Sequence, residues 1–375
     1  MTNNEYRKAI KGVIYLCKCG IMEVKPNRSI VKTYNIQHLY EASKRHTLTA
    51  MVGLALQSCG LANEEFRLAI ASAQRKNILL ENDKQLVFDA LDESNIWHMA
   101  LKGTIIRNWY PQWGMRESAD CDILFDKTYE EKVKDIMLDL GYSVESFGGG
   151  HHDVYFKKPV TNMQMHVELF GVGFEQRLNR YYSNVEKRLE KGRGYELFFT
   201  PEDFYIYMLS HNYRDYSNAG TGLRSLFDTY IVLKHFKFNW KYIKRETEKL
   251  CIRDFEIKNR HLVIHLLEEE KLTDEDKKRL RYMINSGTYG STYNLVNNKV
   301  NSLGGTMFSR MKYAFERFSV PLSKTNPQYR TYKTQYPFFY KHISLLPILP
   351  FYRLFHSLRK SKSRILTEIR TLIRL

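Results

Sequence analysis

Asp120 and Asp122 stand two residues apart in the run Asp120-Cys121-Asp122-Ile123-Leu124-Phe125. In a strand, alternate side chains share a face, so two carboxylates at this spacing converge on one point. Two hard oxygen donors there suit a divalent cation, Mg2+ or Mn2+, which is completed by substrate phosphates rather than by a closed protein cage. A pair of such cations, about 3.5–4 Å apart, clamps the attacking and leaving oxygens of a phosphoryl transfer. A second cation site asks for a third carboxylate on an adjacent strand. The run Met163–Phe170 alternates, with Gln164, His166, Glu168 and Phe170 on one face, and Glu168 is the acid best placed. Taken alone, Asp-x-Asp also reads as two solvated acids on an edge strand, so its surroundings decide.

Those surroundings favour phosphate. The apolar run Ile96–Leu101 reads as a buried strand stopping at Gly103. A glycine between strand and helix lets a phosphate approach the backbone, and a helix start offers free N–H groups. Lys102, Gly103 and Thr104 are therefore expected to hold a triphosphate. Arg116 reads equally as a bidentate phosphate contact and as a brace for the turn before the acid strand. His211 can touch nucleotide or pack beside Met208 and Leu209, and Asp228 can pair with Arg224 one turn earlier. His151 and His152, after three glycines, read either as residues that approach substrate or, more commonly for such a loop, as exposed loop residues. No Ser/His/Asp or Cys/His arrangement emerges by spacing.

The elements that must position these groups divide the chain into four segments. Residues 1–92 are expected to be helical, with apolar residues three and four apart through Leu48, Val52 and Leu56, and Asn63 as a cap before Glu64 and Glu65. Residues 93–198 form the core, with strands at Ile96–Leu101, Asp120–Phe125, Tyr142–Ser146, Asp153–Lys157 and Met163–Phe170. A helix follows the second strand, opened by a Thr128/Glu131 capping box and stopped at Gly141. Residues 199–316 return to helix, where Thr200-Pro201-Glu202-Asp203 is a strong start signal. Residues 317–375 mix aromatics, prolines and bases. The fold class is α+β, a mixed sheet with flanking helical segments.

Composition restricts the function classes. A hydrophobic content of 43% with 14% aromatics suits a folded protein and not a disordered one. Five scattered cysteines suit a reducing compartment, and Cys17-Lys18-Cys19 has no further ligands at zinc spacing. No run reaches the roughly 18 apolar residues that span a bilayer, and the first residues do not read as a signal peptide, so a cytoplasmic location is expected. The net charge is +17, and the last 59 residues hold twelve Lys/Arg against Glu368 alone, giving +11 there. Ile365, Ile369, Leu372 and Ile373 fall on one side of that tail, which suits an anionic membrane surface or packing on the body with the bases solvated. Tyr329, Tyr332, Tyr336 and Tyr340 are candidates for stacking on nucleic-acid bases or for packing.

The ordered set Leu101-Lys102-Gly103, Tyr110-Pro111, Gly114-Met115-Arg116, Asp120-Cys121-Asp122-Ile123-Leu124, Leu140-Gly141-Tyr142, His166-Val167-Glu168-Leu169, Pro201-Glu202-Asp203, His211, Asp228 and Leu345-Leu346-Pro347 resembles an uncharacterised bacterial nucleotidyltransferase family of the DNA polymerase beta superfamily. The resemblance spans most of the chain from about residue 35. It implies a palm-like nucleotidyltransferase fold, Gly103 and Thr104 at the triphosphate loop, and Asp120, Asp122 and Glu168 as ligands of Mg2+ or Mn2+. The chain departs from the superfamily in having Thr104 after the loop glycine and fifteen residues between Thr104 and Asp120. The expected reaction moves a nucleoside monophosphate from an NTP such as ATP to a small molecule, sugar, protein or tRNA and releases pyrophosphate. The competing reading is a non-catalytic basic accessory protein that binds nucleic acid or an anionic membrane through its tail.

Overall fold

The computed structural model describes residues 1–171, 176–268, 271–323, 326 and 328–375, without the side chains of Arg330 and Lys360. Five helices lead in: α1 (Asn3–Ile21), α2 (Arg28–Val31), α3 (Ile36–Arg45), α4 (Thr49–Ser58) and α5 (Glu64–Glu93). Asn63 caps α5 by accepting the Phe66 N–H at 3.2 Å, as expected of an Asn before two acids.

The core follows as β1 (His98–Ala100), α6 (Lys102–Ile106), β2 (Cys121–Phe125), α7 (Glu130–Asp139), β3 (Ser143–Ser146), β4 (His152–Lys157) and β5 (Thr161–His166). The five strands make one mixed sheet in the order β1-β2-β5-β4-β3. Only β2 and β5 run parallel, with Asp122 opposite Gln164 and Leu124 opposite His166. Two expectations fail locally. Thr128 does not cap α7. Its N–H and hydroxyl both donate to Asp126, at 3.0 and 2.7 Å, and a short 3-10 turn precedes the helix. The last strand ends at His166, not Phe170.

One sheet face is apolar. Cys121, Ile123, Tyr155, Met163 and Met165 are fully buried and pack against Leu80, Val87 and Leu91 of α5 and Val133 and Met137 of α7. Strand alternation then turns Asp122, Gln164 and His166 to the opposite face. That face is overlaid by a helical layer. The chain continues through α8 (Gln176–Tyr181), the ribbon β6 (Leu189–Lys191) and β7 (Leu197–Phe199), then α9 (Pro201–Asn218), α10 (Arg224–His235), α11 (Trp240–Lys249), α12 (Arg253–Leu267) and α13 (Asp274–Ser286). Thr200 caps α9 by accepting the Asp203 N–H at 3.1 Å. A second apolar cluster joins α1, α3 and α4 to α9, α10, α12 and α13 through residues such as Leu16, Leu39, Met51, Tyr207 and Phe227. The lead-in helices and the later helical layer therefore share one core.

The remaining helices are α14 (Thr292–Ser302), α15 (Met307–Phe318), α16 (Tyr329–Gln335), α17 (Pro337–Lys341) and α18 (Leu349–Arg374), the last broken at Ser361. Beyond the break α18 docks on α14 and α15. Glu368 accepts from Tyr313 Oη and Arg317 Nε, both at 2.7 Å, and Leu372 packs on Val296 and Val300. Of the expected apolar stripe, Ile365 is buried while Ile369 and Ile373 are exposed. The docked face instead carries Ile365, Glu368, Thr371 and Leu372. Among the described residues no helix is long and apolar enough to cross a membrane.

Glu368→Ala leaves the Tyr313 hydroxyl without its acceptor and removes the ion pair, a loss of about 1–3 kcal/mol. Trypsin cleavage between Arg359 and Arg370 is expected to speed up about tenfold, since local opening at that energy scale controls cleavage. Ile369→Ala, which trims an exposed side chain, serves as the control. Unchanged cleavage in Glu368→Ala would show that the clamp does not hold the tail.

Candidate active site

A cavity of about 490 Å³ lies between the polar sheet face, α6, the second half of α9 and the start of α10. Asp120, just before β2, and Asp122 within it both line the cavity. The parallel register supplies each with a partner from β5. Gln164 Nε2 donates to Asp120 Oδ2 at 3.0 Å, and His166 Nε2 lies 3.3 Å from Asp122 Oδ1. Burial and the neighbouring Asp122 charge push the Asp120 carboxyl above its usual range. Burial acts the same way on Asp122, but the hydrogen bond and charge of His166, with Lys102, outweigh it and hold this carboxyl low. The two acids thus differ in proton affinity although they share one recess.

Cations line the facing wall. Lys102 Nζ lies 2.7 Å from His211 Nδ1, and burial pulls its ammonium down to about 8 against the opposing pull of Asp215. His211 sits 3.1 Å from Asp215 Oδ2 and receives Arg214 Nη2 at 2.7 Å on Nε2. Burial and then the Lys102 charge lower His211 to about 3, so it is neutral. Arg224, at the first turn of α10, reaches the same cavity, and has no hydrogen-bond or ion-pair partner among the described residues.

Arg116 has another task. Its Nε and Nη2 donate to the two oxygens of Asp228 at 2.7 and 3.0 Å, and its Nη1 donates to the Gly103 carbonyl at 3.2 Å. Tyr110 Oη also donates to Asp228, at 2.8 Å. The planar fork ties α10 to the start of α6. A Cβ at Gly103 would come within 3.2 Å of that guanidinium, which accounts for the glycine. Thr104 is 2% exposed, and its hydroxyl accepts the Asp122 N–H at 3.2 Å while donating to Cys121 Sγ at 3.6 Å. This hydroxyl is spent on the acid strand.

Glu168, expected beside the acid pair, is not brought there. The Val167 and Glu168 amides both donate to the His151 carbonyl, at 3.0 and 3.2 Å. Two residues facing one is a bulge, which ends the alternation of β5. Past it the Glu168 carboxylate is half-exposed, lies 3.8 Å from Lys127 and lines a separate recess of about 430 Å³. The cavity instead holds residues that the sequence reading passed over. Gln164 was legible as a polar residue on the face that carries His166. His151 and His152 are held half-buried in the cavity and not on an exposed loop. Arg224 and Asp215 carried no local signal, since helices distant in sequence bring them in.

Asp228→Ala strands a buried guanidinium, and removing one member of a buried pair costs about 3–5 kcal/mol. Urea unfolding should register that loss, and Asp228→Ala combined with Arg116→Met should recover most of it. If the double variant is no more stable than Asp228→Ala, the fork is not what fixes the start of α6.

No curated protein and no solved structure matches the chain. The mixed sheet and its flanking helices are those of a nucleotidyltransferase-like α+β fold. Residues 32–268, well over half of the chain, match the family model described as uncharacterised nucleotidyltransferase, and the chain belongs to that family.

Proposed function

We propose that the protein transfers a nucleoside monophosphate from an NTP to an acceptor hydroxyl or phosphate at this cavity, using Mg2+ or Mn2+ at Asp120 and Asp122. The observation that carries the reading is the placing of an acid pair opposite Lys102 and the unpaired Arg224 in one recess. Family membership supports nucleotidyl transfer in general. The donor set fits a hard divalent cation. Two carboxylates share a recess, the Asp122 charge raises the cost of ionising Asp120, and a cation there relieves it. When bound, the cation neutralises charge developing on the phosphoryl oxygens.

The rest of the work falls to the protein's own side chains. Lys102 and Arg224 hold the triphosphate, in the way that fixed cations position a transferring phosphoryl group. His166 and Gln164 orient the two carboxylates, and the Thr104 hydroxyl pins the Asp122 backbone. Arg116 braces the loop, and does not itself carry phosphate. The acceptor oxygen attacks the α-phosphorus, an acceptor hydroxyl releasing its proton to solvent, the bond between the α-phosphorus and the bridging oxygen breaks, and pyrophosphate leaves.

The direct test incubates wild type and Asp120→Asn/Asp122→Asn with each radiolabelled NTP, MgCl2 and host extract, then identifies what becomes labelled. Asp122→Asn is expected to lower turnover at least 100-fold, the order associated with losing one preorganised charge at a transition state. Arg224→Ala is expected to weaken NTP binding about tenfold, with folding unchanged. Full turnover in Asp122→Asn would overturn the assignment. The pH dependence has a definite sign. Lys102 is charged below about 8, so NTP affinity should hold below that pH and, as the unliganded lysine loses its proton above it, fall by up to about tenfold per unit until the NTP-bound lysine deprotonates as well, by proton linkage. Lys102→Arg should abolish the fall.

The tail carries a second element of the reading, docking at an anionic membrane surface. Phe308, Met311 and Phe315 of α15 are each more than 60% exposed and follow helical spacing, opposite the buried Ser309 and Tyr313. Phe351 and Phe355 are also exposed, one turn apart on α18. An exposed apolar face rimmed by bases binds headgroups and acyl boundary together. The tyrosines that might have stacked on bases are already engaged: Tyr329 with Tyr340, Tyr332 under Arg353, and Tyr336 with Tyr352. Phosphatidylserine vesicles should sediment the full chain at low salt, and Phe308→Asp/Phe315→Asp should weaken this at least tenfold. Equal sedimentation of the variant, or of neutral vesicles, would count against it.

A further inference from the structure

The cavity has a corner of which the nucleotidyl-transfer reading uses only His166, and that residue only through one ring nitrogen. His151 and His152 at the start of β4 and His166 at the end of β5 each offer a ring nitrogen, and the three nitrogens lie within 4.8 Å of one another. His151 Nε2 and His152 Nδ1 are 3.2 Å apart. In a tetrahedral zinc site with metal–nitrogen bonds near 2.0–2.1 Å, neighbouring ligand nitrogens stand about 3.3 Å apart. One edge of such a polyhedron is already in place. The other two edges run to a His166 nitrogen no more than 4.8 Å away.

The corner is built, not incidental. His152 and His166 are cross-strand partners in the β4–β5 ladder. The His151 carbonyl receives both amides of the bulge that ends β5. Gly171 leaves room for the His151 ring, since a Cβ there would sit 2.8 Å from its Nδ1. His166 is 7% exposed, and its Nδ1 is buried with no partner among the described residues, while its Nε2 faces Asp122. An imidazole that gives one nitrogen to a carboxylate and keeps the other unpartnered is in the arrangement that orients a histidine ligand toward a metal.

We propose that His151, His152 and His166 bind a borderline divalent transition-metal ion of the zinc class, at a site separate from the carboxylates that take Mg2+. Three imidazoles select such an ion over magnesium, which prefers oxygen donors. Asp122 then stands between two cation sites of different chemistry, and supports the imidazole site through His166. The inference goes beyond nucleotidyl transfer and does not depend on it.

The test uses the untagged full chain and zinc chloride alone. After removal of metal by chelation, isothermal titration with zinc is expected to show one tight site. His151→Ala/His152→Ala should weaken it at least 100-fold. The milder His152→Gln, checked by circular dichroism for folding, should weaken it at least tenfold. Asp122→Asn should weaken zinc binding about 10–100-fold, the range found when an outer partner of a ligating histidine is lost. Asp120→Asn should abolish nucleotidyl transfer yet leave zinc binding intact, which separates failure of this inference from failure of the enzymatic one. Cys251→Ser, which removes the exposed thiol, should leave the site unchanged. Absence of a tight site in wild type, or the same affinity in the His151→Ala/His152→Ala chain, would overturn the proposal.

Discussion

The parallel pairing of β2 with β5 is the constraint on which the rest of the site depends. Side chains on a strand alternate, so a slip of one residue would exchange the faces of the whole set. The register is held by the apolar face: Cys121, Ile123, Met163 and Met165 are all completely buried against α5 and α7. With those four in the core, Asp122, Gln164 and His166 have only one direction in which to point. The polar constellation is thus specified by its hydrophobic reverse side. Core packing and site geometry are the same choice seen from two sides of one sheet.

A buried polar face must also be neutralised, and the helical layer does this group by group. Asp228 and Arg116 form a closed fork that Tyr110 completes. Asp215, Arg214 and Lys102 form a second set of charges, held mostly by mutual contact around the neutral His211. These clusters cost much to desolvate and return it only when each member has its partner. What is left unmatched stands out against them. The acid pair has only neutral or weakly basic partners on the sheet, and Arg224 acts on Asp120 and Asp228 through charge alone, with no hydrogen bond or ion pair among the described residues. A triphosphate with its cation carries the charges that fill both gaps.

The acid strand, the glycine after β1 and the cap of α9 were legible because each rests on a local signal: a period of two, a turn residue, or a hydroxyl three residues ahead of its amide. Glu168 was misplaced for an equally local reason that the sequence hides. The alternation Met163–Leu169 continues on paper, but the backbone spends two amides on one carbonyl and the period breaks. Thr104 and Arg116 were rightly placed near the cavity, though nothing in their neighbours in sequence says that one hydroxyl serves the strand and one guanidinium serves Asp228. Those partners lie 18 and 112 residues away. Pairings of that span follow from tertiary packing, which no window of sequence contains.

The same bulge that removes Glu168 also joins the far end of the chain to the site. The His151 carbonyl that receives its two amides belongs to the loop after Gly148-Gly149-Gly150, and the Gly149 carbonyl accepts the Thr331 hydroxyl of α16 at 2.6 Å. A methyl-sized group at Gly149 would already touch Thr334. The glycine loop is therefore gripped on one side by the aromatic, basic tail and on the other by the strand ends that present His151, His152 and His166. Any force that moves the tail acts on a loop two residues from the cavity. Short, directly bonded connections of this kind are where coupling between a surface and a site has a physical route. The glycines make the route soft, because their backbone can shift without a side chain to clash.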